Sequence, residues 1–436
     1  MSKQTCGQGG ALAPDVVGTV PGLSYGVAMR GAGDTLSVGE RIAFYRRRRG
    51  LTQAVLAGLV GRSEDWLSKI ERGDRPLRRL DVLAELAKAL RVTVGDLLGQ
   101  PMLMEDEAQR DDDVPAVRDA LMAPRRLSRV LFGSEQGTSV DASATARAAE
   151  HCWADFQAGR IGRVVNALPS LITSAQALED SATPAARDGW AVSARVHHLA
   201  ASTMSKIGEG DLAWIAAERA MQAADQSDDP LVLASAARSG THALLSVGRY
   251  DDAMQLGQTA ASWLAGQVKS GDEEALSLLG MLFLRSAVAA ARQQDRGETR
   301  VLLGQAREAA ERLGRDVNHW QTGFGPSNVR LHELSTSLDL GDVAEVVERG
   351  PSVRIDALPV ERAATHQIDM ARALSYVARD EEALTALVDA EAKAPQLVRH
   401  SAAARETLRT MYRRTPATSQ RAAPMRALAG RCRAVE

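Results

Sequence analysis

The chain has 436 residues, is 45% hydrophobic and 25% charged, and carries a net charge of −2, which describes a globular protein with room for two or three domains and excludes a polycation. Aromatic residues make up only 4%, which argues against stacking-based recognition of single-stranded nucleic acid. Cys6, Cys152 and Cys432 lie far apart with no CxxC or Cys/His spacing, so neither disulfides nor structural zinc are expected.

Residues 1–35 are rich in Gly, Ala and Pro without periodicity and read as a disordered arm, with Met29 a candidate second start. Val38 to Arg49 then reads as an amphipathic helix with Ile42 and Tyr45 inward, ending in a run of four arginines and Gly50. Thr52 is placed to cap a short second helix that begins at Gln53 and turns Leu56, Ala57 and Val60 to the core. Ala57 is small where a neighbouring helix must cross, and Gly61 permits a sharp turn. Ser63 caps a third helix with Leu67 and Ile70 inward. Leu80–Leu90 repeats Leu and Val at helical spacing, and Val94–Leu98 closes the set as a short fifth helix. Residues 36–100 hold thirteen Lys/Arg against eight Asp/Glu, so a basic module precedes an acidic body.

Five helices in this order, with Thr52-Gln53, Leu56-Ala57, Gly61, Leu67 and Ile70-Glu71 at these positions, resemble the Cro/C1-type (xenobiotic-response-element) family of helix-turn-helix transcription regulators over residues 37–99. The resemblance implies a lambda-repressor-like domain whose third helix enters the major groove of duplex DNA. The candidate DNA-binding residues are Gln53, Arg62, Ser63, Glu64, Asp65, Ser68, Lys69 and Arg72. The family position of Gln53 contacts the backbone, and an amide donor at a helix start suits a phosphate. Lys69 and Arg72 are matched to guanine O6/N7 or to phosphate, with phosphate the safer expectation, and Ser68 to either. Glu64 and Asp65 either accept from cytosine N4 or favour the helix N-terminus structurally. Trp66 is expected to pack against a neighbouring helix. The family pattern also implies an Arg46–Glu71 pair tying the first helix to the third. Arg47, Arg48, Arg49, Arg62, Arg75, Arg78 and Arg79 are further candidates for phosphate contacts.

Residues 100–139 read as an acidic linker, with a helix over Val114–Met122 and a loop from Pro124 to Ser139. From 140 to 415 the chain is Ala-, Leu- and Arg-rich and helical by pattern. Ile207-Gly208-Glu209-Gly210-Asp211-Leu212-Ala213 aligns with Val247-Gly248-Arg249-Tyr250-Asp251-Asp252-Ala253 at an offset of 40 residues. Weaker echoes occur at Ala158-Gly159-Arg160, Leu340-Gly341-Asp342 and Ala378-Arg379-Asp380. Such a unit is a helical hairpin, and stacked hairpins give a curved α-solenoid. The turn glycine, Tyr250 and the alanines resemble the tetratricopeptide (TPR) pattern. The stretch His319-Trp320 through Phe324-Gly325-Pro326-Ser327-Asn328-Val329 to Leu331-His332 resembles a bacterial group joining the DNA-binding module to a degenerate TPR domain, as do Val398-Arg399-His400 and Arg405-Glu406. The excess of arginine over lysine and the high alanine content match a GC-rich bacterial genome. Residues 416–436 are read as a tail.

That resemblance implies a ligand, a short peptide or a small molecule. Asn328 is the leading candidate, since an asparagine can hold an extended peptide by donating and accepting together. Arg195, His198, Arg238, His242, Arg285 and Arg330 are polar positions within helices that could line a concave groove or serve as surface and caps. Trp153, Trp190, Trp214, Trp263 and Trp320 are expected in the core. No catalytic or metal motif is found, and no cofactor is expected. No apolar stretch of about eighteen residues and no signal peptide are visible, so a cytoplasmic protein without membrane partners is expected.

The reading is therefore an all-α, homodimeric transcription regulator, with duplex operator DNA as partner of residues 36–99 and a ligand-binding, dimerising TPR-like domain over 140–415. The alternatives are a TPR adaptor whose main partner is another protein, and a phage- or antitoxin-type repressor.

Overall fold

The computed structural model describes residues 37–49, 51–75, 77, 80–90, 92, 97, 114–123, 140–181, 187–267, 271–355, 358–416, 419 and 422–435. The expected N-terminal arm with Met29, most of the fifth helix, the acidic run and the 124–139 loop lie outside them, as do Arg78 and Arg79. The chain divides into two compact units, residues 1–108 and 109–436. Among the described residues there are twenty α-helices and no strand; the lone extended pairing is a bridge between Val317 and Phe324.

The first unit holds α1 (Val38–Arg48), α2 (Gln53–Leu59), α3 (Glu64–Glu71) and α4 (Leu80–Leu90). Local chemistry sets each start. Ser37 and Glu40 form a reciprocal capping box on α1, Thr52 Oγ1 accepts from Val55 N on α2, and Ser63 Oγ accepts from Trp66 N on α3. Gly61 takes φ +62°, and the next N–H, of Arg62, returns to Ala57 O at 2.8 Å to close α2. Leu56, Ala57, Leu67, Ile70, Leu86, Leu90 and Leu97 then share one buried core. At Gly39 a Cβ would lie 2.0 Å from Ile70 O, so α1 and α3 meet backbone to backbone.

The second unit starts earlier than the sequence suggests. Helix α5 (Val114–Leu121) buries Val117 and Leu121 completely in the core of the second unit, so it is part of that unit and not of a linker. Six helical hairpins follow: α6 (Ala142–Gln157) with α7 (Ile161–Ser181), α8 (Arg187–Ile207) with α9 (Gly210–Ser227), α10 (Pro230–Ser246) with α11 (Tyr250–Ala265), α12 (Glu273–Arg292) with α13 (Arg296–Leu313), α14 (Pro326–Asp339) with α15 (Val343–Arg349), and α16 (Val360–Tyr376) with α17 (Asp380–Lys393). All six turns use one device. A left-handed residue (Gly159, Gly208, Gly248, Gln294, Gly341 or Ala378) has φ between +60° and +89°. The N–H that follows it bonds back to the preceding helix: Arg160 to Asp155 O, Glu209 to Met204 O, Arg249 to Leu244 O, Asp295 to Ala290 O, Asp342 to Ser337 O and Arg379 to Leu374 O, all at 2.8–3.0 Å. This is the Schellman closure, which satisfies carbonyls the helix end would otherwise leave unpaired. Alanines let the helices approach: Ala213, Ala216, Ala217, Ala220, Ala223 and Ala224 of α9 are all buried.

Residues 416–436 are not a free tail. After α18 (Pro395–His400) and α19 (Ala402–Arg414), α20 (Ala422–Arg431) buries Met425, Leu428, Ala429 and Cys432. Arg405 Nε donates to Cys432 O and Arg409 Nε to Ala434 O, and Arg431 is paired with the buried Glu391.

The array also closes on itself. One apolar core joins Trp153, Phe156, Val196 and Leu199 of the early hairpins to Ala364, Ile368, Leu387, Leu397 and Val398 of the late ones. Gln157 and Asn318 exchange two side-chain hydrogen bonds at 2.9 Å, and a Cβ on Gly159 would stand 2.9 Å from that of Ala394. The curved array of hairpins expected from the repeat thus closes into a ring around an interior. Of the tryptophans expected in the core, Trp153 is buried, Trp190, Trp214 and Trp320 are half-buried, and Trp263 is exposed on the outer helix α11. Helix α12 is long and apolar enough to cross a membrane, but 83% of its apolar window is buried inside this unit. Its Gly280 faces the ring of Phe324, where a Cβ would lie 1.9 Å from Cζ. Gly280→Ala is therefore expected to lower stability by about 1–3 kcal/mol in thermal or denaturant unfolding, with Phe324→Leu partly restoring it.

Candidate nucleic-acid interface and the interior of the array

Helix α3 divides cleanly into two faces. Leu67, Ile70 and Glu71 are buried, while Glu64, Asp65, Lys69 and Arg72 are exposed and Ser68 is half-exposed. Ser63 stands exposed at the N-cap. Both signs of charge share the outward face. Lys69 Nζ pairs with Asp65 Oδ2 at 2.7 Å, one helical turn away, and Arg72 Nε with Asp74 Oδ2 at 3.1 Å. The Arg62 guanidinium lies 5.7 Å from the centre of the Trp66 ring, and Trp66 packs half-buried against the core. Arg47, Arg49 and Arg75 are exposed; Arg49 is tethered by a hydrogen bond to Ala89 O.

Behind this face sits a buried network. Arg46 Nε donates to Glu71 Oε1 at 2.6 Å and its Nη2 to Glu71 Oε2 at 2.8 Å, a bidentate pair joining α1 to α3. Arg46 Nη1 donates to Leu51 O at 2.8 Å. Gln53 Nε2 donates to Glu71 Oε2 at 2.7 Å, which uses one amide proton and holds the other at the N-terminus of α2. Burial alone would raise the Glu71 carboxyl; the hydrogen bonds from Arg46 and Gln53, with the Arg46 charge, outweigh it and hold the carboxyl below its ordinary value.

The residues read as a concave groove separate into three places. His198, Arg238, His242 and Arg285 line one interior cavity, from α8, α10 and α12. Ser202, Lys206, Glu361 and Arg362 line it too, and sequence reading missed all four. Arg238 Nη2 donates to His198 Nε2 at 3.3 Å and to Trp320 O at 3.1 Å, so His198 is neutral with its proton on Nδ1, toward Ser235 Oγ at 2.9 Å. Lys206 Nζ is paired with Glu361, whose Oε2 also lies 3.5 Å from Arg362 Nε. Burial, then the surrounding arginines, push His198 and His242 well below the ordinary imidazole value and His332 down to about 3. Burial likewise brings Arg238 down to about 9.

Arg195 lies outside this cavity, paired with Glu150 and stacked 5.3 Å from the Trp320 ring centre. Arg330 is also elsewhere, in a surface depression shared with Arg296, Arg307 and Glu333. Asn328, the leading ligand candidate in the sequence, is fully buried and faces its own chain. Its Nδ2 donates to Gly323 O at 2.9 Å and Thr322 O at 3.3 Å, so it holds the loop before α14, and its Oδ1 is buried without a partner.

Comparison with known proteins agrees with the first unit. Residues 37–98 match the family model described as a helix-turn-helix domain. The chain is 38% identical over 72 residues to an immunity repressor protein of Bacillus phage phi105, covering 16% of this chain and 49% of that protein. It thus spans about half the length of the curated relative it matches. Among solved structures, the crystal structure of Bacillus thuringiensis PlcR in complex with the peptide PapR7 and DNA aligns with 64% of this chain and 95% of that one, at 13% identity and a TM-score of 0.27. The N-terminal unit is a helix-turn-helix domain, the fold of DNA-binding regulators. It is followed by an all-α unit of helical hairpins.

Proposed function

We propose that the protein is a transcription regulator that reads a duplex operator through α3 and is controlled through its ring of hairpins. One observation supports this most: α3 turns Glu64, Asp65, Ser68, Lys69 and Arg72 outward while Glu71, gripped by Arg46, fixes the angle at which that face is offered. In this reading Gln53 and Arg62 flank the helix as phosphate contacts, and Ser63 serves as cap and neighbour of the backbone. The protein acts as a dimer, because one small module gives weak specificity and two linked modules gain from effective concentration. Its half-sites lie one helical turn of DNA apart, about 34 Å, or a multiple of it. The hairpin unit supplies the control through a ligand, for which the family resemblance implies a short peptide or a small molecule.

Footprinting of the full-length protein on genomic fragments is the direct test, followed by affinity against salt. Log K should fall linearly with log salt, with a slope of about −0.9 for each phosphate neutralised. A flat plot, or protection of single half-sites alone, would overturn the proposal.

A further inference from the structure

We propose that the interior of the hairpin ring is a binding site for a small anion, a phosphate or carboxylate group held between Arg238 and Arg285. This deepens the reading of the second unit as ligand-controlled and rests on it. Lys206, Arg238, Arg285 and Arg362 line the cavity, and Glu361 is the one carboxylate among its lining residues. That carboxylate is engaged by Lys206 and Arg362. Arg238 and Arg285 form no direct ion pair among the described residues, and Glu361 acts on both only through space. Arg238 is 5% exposed, and its hydrogen bonds go to the neutral acceptors His198 and Trp320 O. Its Nε is buried with no acceptor. Arg285 is half-buried and makes no hydrogen bond or ion pair among the described residues, and its Nε atom is buried and unpartnered.

A guanidinium cannot relieve this by losing its proton at ordinary pH; Glu361 attracts both groups through space, but its direct partners are Lys206 and Arg362, so neither guanidinium has a counter-charge in contact. The neighbouring histidines are neutral and supply no compensation. A negatively charged group between α10 and α12 would satisfy both guanidinium groups at once, in the forked geometry that suits carboxylate and phosphate. The size of the cavity limits the occupant. Its volume is about 20 Å³. As it stands that is room for about one or two waters, so only a compact anion enters, by displacing them and shifting the lining side chains, and an extended chain does not. The segment carrying Trp320 and Gln321 closes over it: Gln321 lines the cavity, and Arg238 holds the carbonyl of Trp320. Both residues sit in the left-handed region, at φ +53° and +51°.

The test uses the full chain in chloride buffer at constant ionic strength, titrated with inorganic phosphate or with malonate and followed by calorimetry and thermal unfolding. A saturable heat is expected, with Tm rising by about 2 °C or more once the anion is about tenfold above its Kd. Response to phosphate alone assigns a phosphate group, and response to malonate alone a carboxylate. Arg285→Gln should lose the saturable increment and, with an unpaired charge removed, be no less stable than the parent in chloride. The surface variant Arg147→Gln should keep the increment. No increment with either anion, an equal increment in Arg285→Gln, or a destabilised or unfolded Arg285→Gln would each overturn the anion site. Footprinting of the same preparations reports on DNA binding separately, so loss of the anion response with intact footprints sinks this proposal and leaves the operator reading standing.

Discussion

Joint replacement of Lys69 and Arg72 by alanine should abolish protection of the operator while leaving the circular dichroism spectrum unchanged. Both side chains are solvent-exposed on α3, and neither contributes to the core that holds it. Their ion pairs with Asp65 and Asp74 are surface pairs, worth on the order of 0–1 kcal/mol, so folding hardly registers their removal. Binding should register it strongly. A bidentate base contact is worth about 1–3 kcal/mol, and a phosphate contact lowers the salt slope by about 1. The two outcomes separate base reading from phosphate docking. If Lys69→Ala weakens all sequences alike and flattens the salt plot, Lys69 meets a phosphate; if it relaxes preference at one position, it meets a base. Asp65→Ala refines the test. It frees Lys69 and removes a negative charge from the docking face, so non-specific affinity should rise. Unchanged footprints in the double variant would remove α3 from the interface.

The helix-turn-helix was legible because its determinants are local. Thr52 and Ser63 announce helix starts through their own backbone, and Gly61 marks a turn that needs positive φ. The hairpin turns were legible where glycine occupies the left-handed position, and at Ala378 through the Arg379-Asp380 that follows it. They were not at Gln294, where an ordinary side chain takes the same conformation at a cost of about 1 kcal/mol or more and leaves no compositional mark. Closure of the ring could not be read, since it depends on small rotations between hairpins that accumulate over the whole array. The interior lining was half legible. His198 and Arg238 each fall ten residues before their turn glycine, and Arg285 falls nine before Gln294, so one repeated register carries them inward. Lys206 shares the face of His198 at helical spacing, whereas Glu361 and Arg362 come from a helix start that carries no echo of the repeat. Asn328 shows the limit of chemical reasoning without geometry: it donates as anticipated, but to the carbonyls of its own loop.

The other large effect is expected at Glu71. Glu71→Ala leaves Arg46, whose side chain is 11% exposed, without its carboxylate, and it releases Gln53 at the same time. Removing one partner of a buried pair costs about 3–5 kcal/mol, a large share of the 5–15 kcal/mol typical of a whole domain. The helix-turn-helix unit should unfold early in denaturant while the hairpin unit keeps its own transition. The carboxyl titrates below its ordinary value when folded, so its contribution is complete above the unfolded carboxylate value and is lost as pH falls through the folded one. The parent's first transition should therefore weaken on acidification more than that of Glu71→Gln, which has no carboxylate to protonate. Replacing both partners, Arg46→Met with Glu71→Leu, should recover much of the loss, because two apolar side chains avoid the desolvation of two charges. Recovery should stop short of the parent, since Leu51 O loses its donor from Arg46 Nη1. DNA affinity should stay reduced even where stability returns, because the amide of Gln53 is no longer held at the start of α2. A double variant as unstable as Glu71→Ala would mean that the pair's geometry, and not its charge balance, sets the packing of α1 on α3.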